Sequence, residues 1–294
     1  MDESIQLKIH NTKTRALNIL ENTKLYEYRG VVSKLLGLTV DVKLPGLKIG
    51  DLCYIQTYTG EKKAAEVQAF KGDVAQLLLL YDGDGIGQGS LVESTGGPIM
   101  LPVGDFLLGR LINPLGEPMD GRPLDVTNAE YVNINGSVPD AFSRPIIKDS
   151  LSTGIRAIDS LLTMGTGQRM GLFAGSGVGK STTLGMIARN SEADVNVMAL
   201  IGERGREVKE FMEDSLGPVG LKRSVVVCAT GDLPPLIRMK CLLAATSVCE
   251  YFRDKGKKVF LMTDTVTRCA MAGREVGLSL GEPPTMKGYP PSIF

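Results

Sequence analysis

The stretch FAGSGVGKSTT, residues 173–183, admits few folds. It follows the apolar run QRMGLFA (168–174), which reads as a strand, and opens GKSTTLGMIARN (179–190), which reads as a helix. Gly175, Gly177 and Gly179 let the backbone curl so that amide N–H groups face one point. The helix N-terminus adds the positive end of its dipole, so phosphate oxygens are the ligand this turn fits. Lys180 would reach the β- and γ-phosphates of a nucleotide, and the Ser181 hydroxyl would bind Mg²⁺. Ala174 departs from the G-x-x-x-x-G-K-[ST] pattern at its first position, where a small residue still permits the turn. The phosphate-binding set is therefore Ala174, Gly175, Ser176, Gly177, Val178, Gly179, Lys180, Ser181 and Thr182.

The alternation continues downstream. DVNVMALIG, SVVVCAT and KKVFLMTD read as strands; GREVKEFMEDSLG and the stretch from Pro235 to Gly256 read as helices. Proline suits the first turn of a helix and glycine its end. Near-continuous Val, Leu and Ile runs joined by helical crossovers predict a parallel sheet covered on both faces. STGIRAIDSLL, just upstream, starts with Ser152 or Thr153 as a helix cap.

Two strand ends carry acids. Asp264 closes KVFLMTD, and the carboxyl end of a parallel strand opens on the crevice where such sheets bind ligands. There it would hold Mg²⁺ through water; the plain alternative is a capping or solvated aspartate. Glu203 ends the strand before GERGREV, where a carboxylate can polarise a water for in-line attack on phosphorus. Arg204 would orient it or offset developing charge. Spacing alone leaves open a solvated salt-bridge cluster of Glu203, Arg204, Arg206 and Glu207.

Upstream, residues 25–94 change to short β-type runs such as RGVVSKL, LTVDVKL and VAQLLLLY, punctuated by Gly30, Gly37, Gly50, Gly60, Gly72 and Gly83. This predicts a small barrel or sandwich with a structural or assembly role. Residues 95–150, rich in Gly and Pro, read as a long connection with little helix or strand, and belong with the nucleotide domain over 95–294. Residues 1–24 read as a short docking helix or a disordered arm.

Composition removes several function classes. Lys+Arg and Asp+Glu both number 33, there is no Trp, and Tyr and Phe number 8 each, a poor equipment for general nucleic-acid binding. The single histidine, His10, argues against a Ser-His-Asp triad and a histidine-containing zinc site. The five cysteines form no C-x-x-C pair and read as free thiols of a reducing compartment. The start MDESIQLKIHNTKTR has no apolar signal core, and no segment nears the roughly 20 apolar residues of a membrane helix; a cytoplasmic protein is expected.

FAGSGVGKST, ADVNVMALIGERGREVKEF, SVVVCAT, FLMTDTVTRCAMAGREVGL and GEPPTMKGYPPSIF together resemble the flagellar and type III secretion export ATPases, relatives of the catalytic β-subunit of rotary ATP synthases. The resemblance runs from about Gly30 to Phe294 and leans to the flagellar branch. It implies an α/β fold: a small N-terminal β-barrel, then a RecA-like parallel-sheet P-loop NTPase domain that is incomplete at the C-terminus. It implies ATP and Mg²⁺, Glu203 as catalytic carboxylate, Glu207 in the outer shell of the magnesium and Arg268 close to the γ-phosphate. Thr263, Thr265, Cys269 and Gly273 depart from the usual pattern without removing a phosphate- or metal-contacting group.

The resemblance also implies a homo-hexamer in the full-length form, with stalk and regulator proteins, secretion chaperones and export substrates as partners. No specific nucleic acid is expected, and the place of work is the inner face of the cytoplasmic membrane, reached through partners. Family members run on past the counterpart of Phe294 to an arginine finger worth about 10³–10⁵ in rate, so slow hydrolysis is expected of this chain. The competing expectations are a nucleotide-binding assembly subunit with weak catalysis and an RNA-translocating RecA-type hexamer.

Overall fold

A computed structural model describes Lys13 and residues 29–175 and 177–294. The expected N-terminal arm, apart from Lys13, lies outside the described residues, as do His10 and Ser176.

Six antiparallel strands form a closed barrel in the order β1-β2-β5-β4-β3-β6. They are β1 (Arg29–Leu36), β2 (Thr39–Lys43), β3 (Asp51–Gln56), β4 (Lys62–Lys71), β5 (Val74–Leu79) and β6 (Leu91–Pro98). Alternate residues fill the interior: Val32, Val40, Val42, Cys53, Ile55, Val67, Leu77 and Val92 are buried together. The tight β4–β5 turn needs a left-handed residue, which Gly72 supplies at φ +62°. Of the two β architectures the glycine spacing allowed, closure selects the barrel, which leaves no free edge.

The chain between barrel and phosphate loop is more structured than its Gly and Pro content suggests. It supplies β7 (Met100–Val103), β8 (Arg110–Ile112) and β9 (Glu130–Asn133). β7 and β9 pair with each other, whereas β8 joins the nucleotide-domain sheet by pairing parallel to Val225–Val227. Arg110 is locked there by a two-pronged bond to Asp120, Nε to Oδ2 at 2.7 Å and Nη2 to Oδ1 at 2.9 Å.

That sheet has the order β12-β10-β11-β8, with β10 (Val195–Ile201), β11 (Ser224–Ala229) and β12 (Val259–Thr263). Every residue of β10 and β11 is buried, as expected for central parallel strands covered on both faces. On one face Val197, Ala199 and Val227 meet Ile237, Cys241, Ala244 and Val248 of a long helix, Pro235–Asp254. On the other, Met198, Leu200, Val226 and Cys228 meet Leu184 and Ile187 of the phosphate-loop helix, Lys180–Asn190.

In chain order the helices are α1 (Arg156–Leu161), α2 (Lys180–Asn190), α3 (Gly205–Glu210), α4 (Gly217–Lys222), α5 (Pro235–Asp254) and α6 (Val266–Ser279). A π-helical turn, Phe211–Leu216, connects α3 to α4. Ser152 and Thr153 do not cap α1; they donate instead to Asp159 inside it, Oγ to Oδ2 at 2.9 Å and Oγ1 to Oδ1 at 2.8 Å. α5 is joined to the barrel by a buried pair: Lys240 Nζ donates to Glu66 Oε1 at 2.6 Å and to Asn135 Oδ1 at 3.2 Å.

One expected strand does not form. Residues 168–174 pair with nothing, and Phe173 is 96% exposed. A strand needs a ladder partner, and β12, the end strand of the sheet, is bonded on its β10 side alone. A cavity of about 530 Å³ separates that run from β12, lined by Leu162, Leu172, Lys180, Phe260 and Met262.

Candidate active site

Three strand-to-helix junctions meet at the carboxyl end of the sheet. The first is the phosphate loop. Gly177 and Gly179 hold φ of +75° and +94°, and a β-carbon at either would meet nothing within 4 Å. Glycine is needed there for backbone conformation and not for space. The loop enters α2 at Lys180, and the first N–H groups of a helix have no intrahelical acceptor, so they remain available to a ligand. Ala174, Gly175, Gly177, Val178, Gly179, Ser181 and Thr182 are all exposed, while Lys180 is half-buried.

The second junction is the end of β12. The backbone of Asp264 continues the ladder, its N–H donating to the Ala199 carbonyl at 3.2 Å. Its carbonyl accepts from Lys180 Nζ at 2.6 Å, which ties the phosphate loop to this strand. Oδ1 of its carboxyl accepts from the Ile201 N–H at 3.1 Å. Oδ2 is buried and has no hydrogen-bond partner.

The third junction follows β10. Gly202 turns the chain at φ +70°, and its N–H donates to the Ala229 carbonyl. Glu203 then faces Arg268 of α6, with Nη1 2.7 Å from Oε1. The same guanidinium nitrogen is 3.7 Å from Asp264 Oδ2. The carbonyl of Glu203 accepts from the Gly231 N–H at 3.1 Å, a contact the expected site did not include. Its sequence signal is the glycine directly after the β11 strand and Thr230; a β-carbon at Gly231 would stand 3.0 Å from the Gly202 oxygen.

The electrostatics of the two acids separate. Burial pushes the Asp264 carboxyl up to about 7, helped by hydrogen bonding and repulsion from Glu203. Burial raises Glu203 too, but hydrogen bonds with Asp264, Glu207 and Arg268 outweigh it and bring the group to about 2. The two carboxyls are thus driven in opposite directions, Asp264 up by its burial and Glu203 down by its place beside Arg268.

The expected residues divide accordingly. Lys180, Glu203, Asp264 and Arg268 form one cluster. Glu207, on the first turn of α3, lies beside it, near enough to help lower the Glu203 carboxyl, and its own side chain pairs with Arg204. Arg204 does not join: its side chain is 73% exposed and pairs with Glu207 at 3.4 Å. Among the described residues no group of three or more His, Cys, Asp or Glu forms a metal cluster of protein ligands alone. The five cysteines are free; Cys53, Cys228 and Cys241 are buried, and burial raises the Cys228 thiol to about 12, well away from reactive chemistry.

Comparison with known proteins agrees with both halves of the chain. The beta-barrel domain of the ATP synthase alpha/beta family matches residues 32–96, and its nucleotide-binding domain matches residues 154–294. The chain is 50% identical over 285 residues to the flagellum-specific ATP synthase of Bacillus subtilis (strain 168), covering 96% of this chain and 65% of that protein. It is 46% identical over 266 residues to the type 3 secretion system ATPase of Xanthomonas euvesicatoria, covering 90% of this chain and 60% of that protein. The solved structure of the assembled ATPase EscN with its central stalk EscO, from the enteropathogenic E. coli type III secretion system, superposes with a TM-score of 0.81 at 43% identity. That superposition covers 90% of this chain and 64% of EscN. The chain therefore spans less than two thirds of the length of these relatives. With its closed barrel, its parallel sheet and the cluster at the carboxyl end of that sheet, this chain belongs to the ATP synthase alpha/beta family, in the company of the flagellar and type III secretion ATPases.

Proposed function

We propose that the protein hydrolyses ATP and that the energy drives protein export through a flagellar-type or injectisome apparatus. The observation that carries the reading is the convergence of Lys180, Asp264, Glu203 and Arg268, joined by contacts of 2.6–3.7 Å at one end of the sheet. In this reading the loop 174–182 wraps the phosphates and Lys180 bonds the β- and γ-phosphate oxygens. Glu203, kept ionised beside Arg268, accepts a hydrogen bond from the attacking water and aims it in line with the leaving oxygen. Arg268 balances charge that develops on the γ-phosphate, and Arg204, exposed at the residue before α3, acts from the solvent side.

The donor set suits Mg²⁺: the Ser181 hydroxyl, the unpartnered Oδ2 of Asp264 and, farther out, Glu207 are hard oxygens of the kind magnesium takes. Bound there, the ion would neutralise charge on the phosphates. The neighbours extend the proposal to an assembled ring, with a stalk protein as partner and export chaperones and their cargo as clients. It would work at the cytoplasmic face of the membrane, held there by partners; among the described residues no helix is long and apolar enough to cross a bilayer.

One observation favours a second reading. The apolar run before the phosphate loop stands outside the sheet, so the loop is braced mainly through Lys180. A subunit that binds nucleotide and turns it over poorly would look the same. Fluorescent-nucleotide titration with phosphate-release kinetics separates the two. Lys180→Ala should lose binding under both. Glu203→Gln should keep binding and lose about 10²–10⁴ of the rate under the first. Equal phosphate release by wild type and Glu203→Gln would favour the second.

A further inference from the structure

We infer that Arg238 is a positioning residue for Glu203, acting through two elements that both touch that glutamate. It rests on the reading of Glu203 as the water-orienting carboxylate. Arg238 lies in the first turn of α5 and its side chain is only 14% exposed. Its guanidinium is divided between two partners. Nε donates to the Leu233 carbonyl at 3.0 Å, and Nη2 donates to Glu275 Oε2 at 2.6 Å.

Each partner leads to Glu203 from a different side. Leu233 closes the loop after β11, its N–H bonded to the Thr230 carbonyl at 3.2 Å, and Gly231 of that loop donates to the Glu203 carbonyl at 3.1 Å. Glu275 is on α6, seven residues (about two helical turns) beyond Arg268, whose guanidinium holds the Glu203 carboxylate at 2.7 Å. The loop therefore fixes the backbone of Glu203 and α6 fixes its side chain, and Arg238 fastens loop and α6 to each other. A planar guanidinium makes two directed bonds at once; a lysine ammonium is a point charge and satisfies one of these partners at the cost of the other's geometry. α5 is a firm base for this fork, since Lys240, one residue beyond its neighbour Met239, ties the helix to the barrel.

The test is ATP turnover by Arg238→Ala, Arg238→Lys and Glu275→Ala, with hydrogen exchange of the segments 200–204 and 229–233. Misplacing a reacting group by about 1 Å costs on the order of 10²-fold, so kcat should fall roughly 10–100-fold in Arg238→Ala while KM for MgATP moves less than about 3-fold. Arg238→Lys and Glu275→Ala should show intermediate loss of kcat, and exchange at Gly231 should quicken in all three. A residue that merely supports folding would lower the melting temperature and leave kcat per folded molecule unchanged; that result overturns the inference. So does wild-type exchange at Gly231 in Arg238→Ala. Should wild type and Glu203→Gln hydrolyse ATP equally, the proposed function fails, and the exchange measurement alone then decides whether Arg238 holds the Glu203 segment.

Discussion

Replacing Lys240 by methionine removes one charge from a pair sealed between barrel and α5. Lys240 is 4% exposed and Glu66 1%, so water cannot take over the lost partner. At the 2.6 Å separation and an effective dielectric of 20, the attraction is about 6 kcal/mol. Desolvation of two ions offsets much of it, so the intact pair adds little net stability. Breaking it is different, because Glu66 then keeps its burial and loses its counter-charge, at a cost of about 3–5 kcal/mol. Burial already raises the Glu66 carboxyl, against the lowering pull of Lys240 and Asn135. Without Lys240 its folded-state pKa moves further up.

The sign follows. An acid whose folded pKa exceeds its unfolded value of about 4.3 carries no penalty below that value and the full penalty above the folded one. The loss in Lys240→Met should therefore be greatest near pH 8 and shrink on acidification, by up to about 1.4 kcal/mol per pH unit through the titration. Urea unfolding followed by circular dichroism at pH 8 and 5.5 measures this directly. The double variant Glu66→Leu/Lys240→Met should regain most of the loss. A loss that does not change with pH, or a double variant as unstable as the sum of the singles, would refute the reasoning.

Two further outcomes are expected. Gly185→Ala would place a β-carbon 2.4 Å from the Ser215 carbonyl oxygen, where α2 rests on the π-helical turn. It should cost about 1–3 kcal/mol in denaturant midpoint analysis; an unchanged midpoint would show that this contact yields freely. Asp120 is held well below the usual carboxylate range, chiefly by the Arg110 guanidinium, and its contribution is present above the unfolded pKa of about 3.9 and lost as pH falls through the folded one. Asp120→Asn should cost about 1.5–3 kcal/mol at pH 7, and its gap from wild type should narrow in unfolding curves below pH 4.

The parts of the fold legible in the sequence were those set by local rules. Short β-type runs with glycine turns announce the barrel strands, and Pro235 and Gly256 frame α5, which ends at Asp254. Lys180, Glu203 and Asp264 could be picked out because each sits where a strand or loop gives way to a new element. What stayed hidden was decided by distant partners. The run 168–174 has the apolar composition of a strand, but composition does not supply a neighbouring ladder. β8 looked like part of a connection because three residues, Arg110–Ile112, carry too little pattern; its strand character comes from β11, more than a hundred residues on. Ser152 and Thr153 matched the residue types of a cap, yet Asp159 recruits them from inside the helix. Arg204 and Arg268 were equally basic on paper, and only the placement of α6 against Glu203 tells them apart.

If Lys180 is the phosphate ligand proposed above, its contact with the Asp264 carbonyl would bear on how tightly a nucleotide is held. A lysine side chain has on the order of 1.5–2 kcal/mol of rotamer entropy to lose when it is ordered. Here much of that freedom is surrendered on folding, with no ligand required, because the ammonium is already anchored to the end of β12. On that proposal an arriving phosphate oxygen would exchange places with a neutral carbonyl, and the entropic cost of association would be correspondingly smaller. The lysine stands in a preorganised posture, and selectivity for phosphate over a neutral ligand would then come from the difference between an anionic acceptor and the carbonyl it displaces.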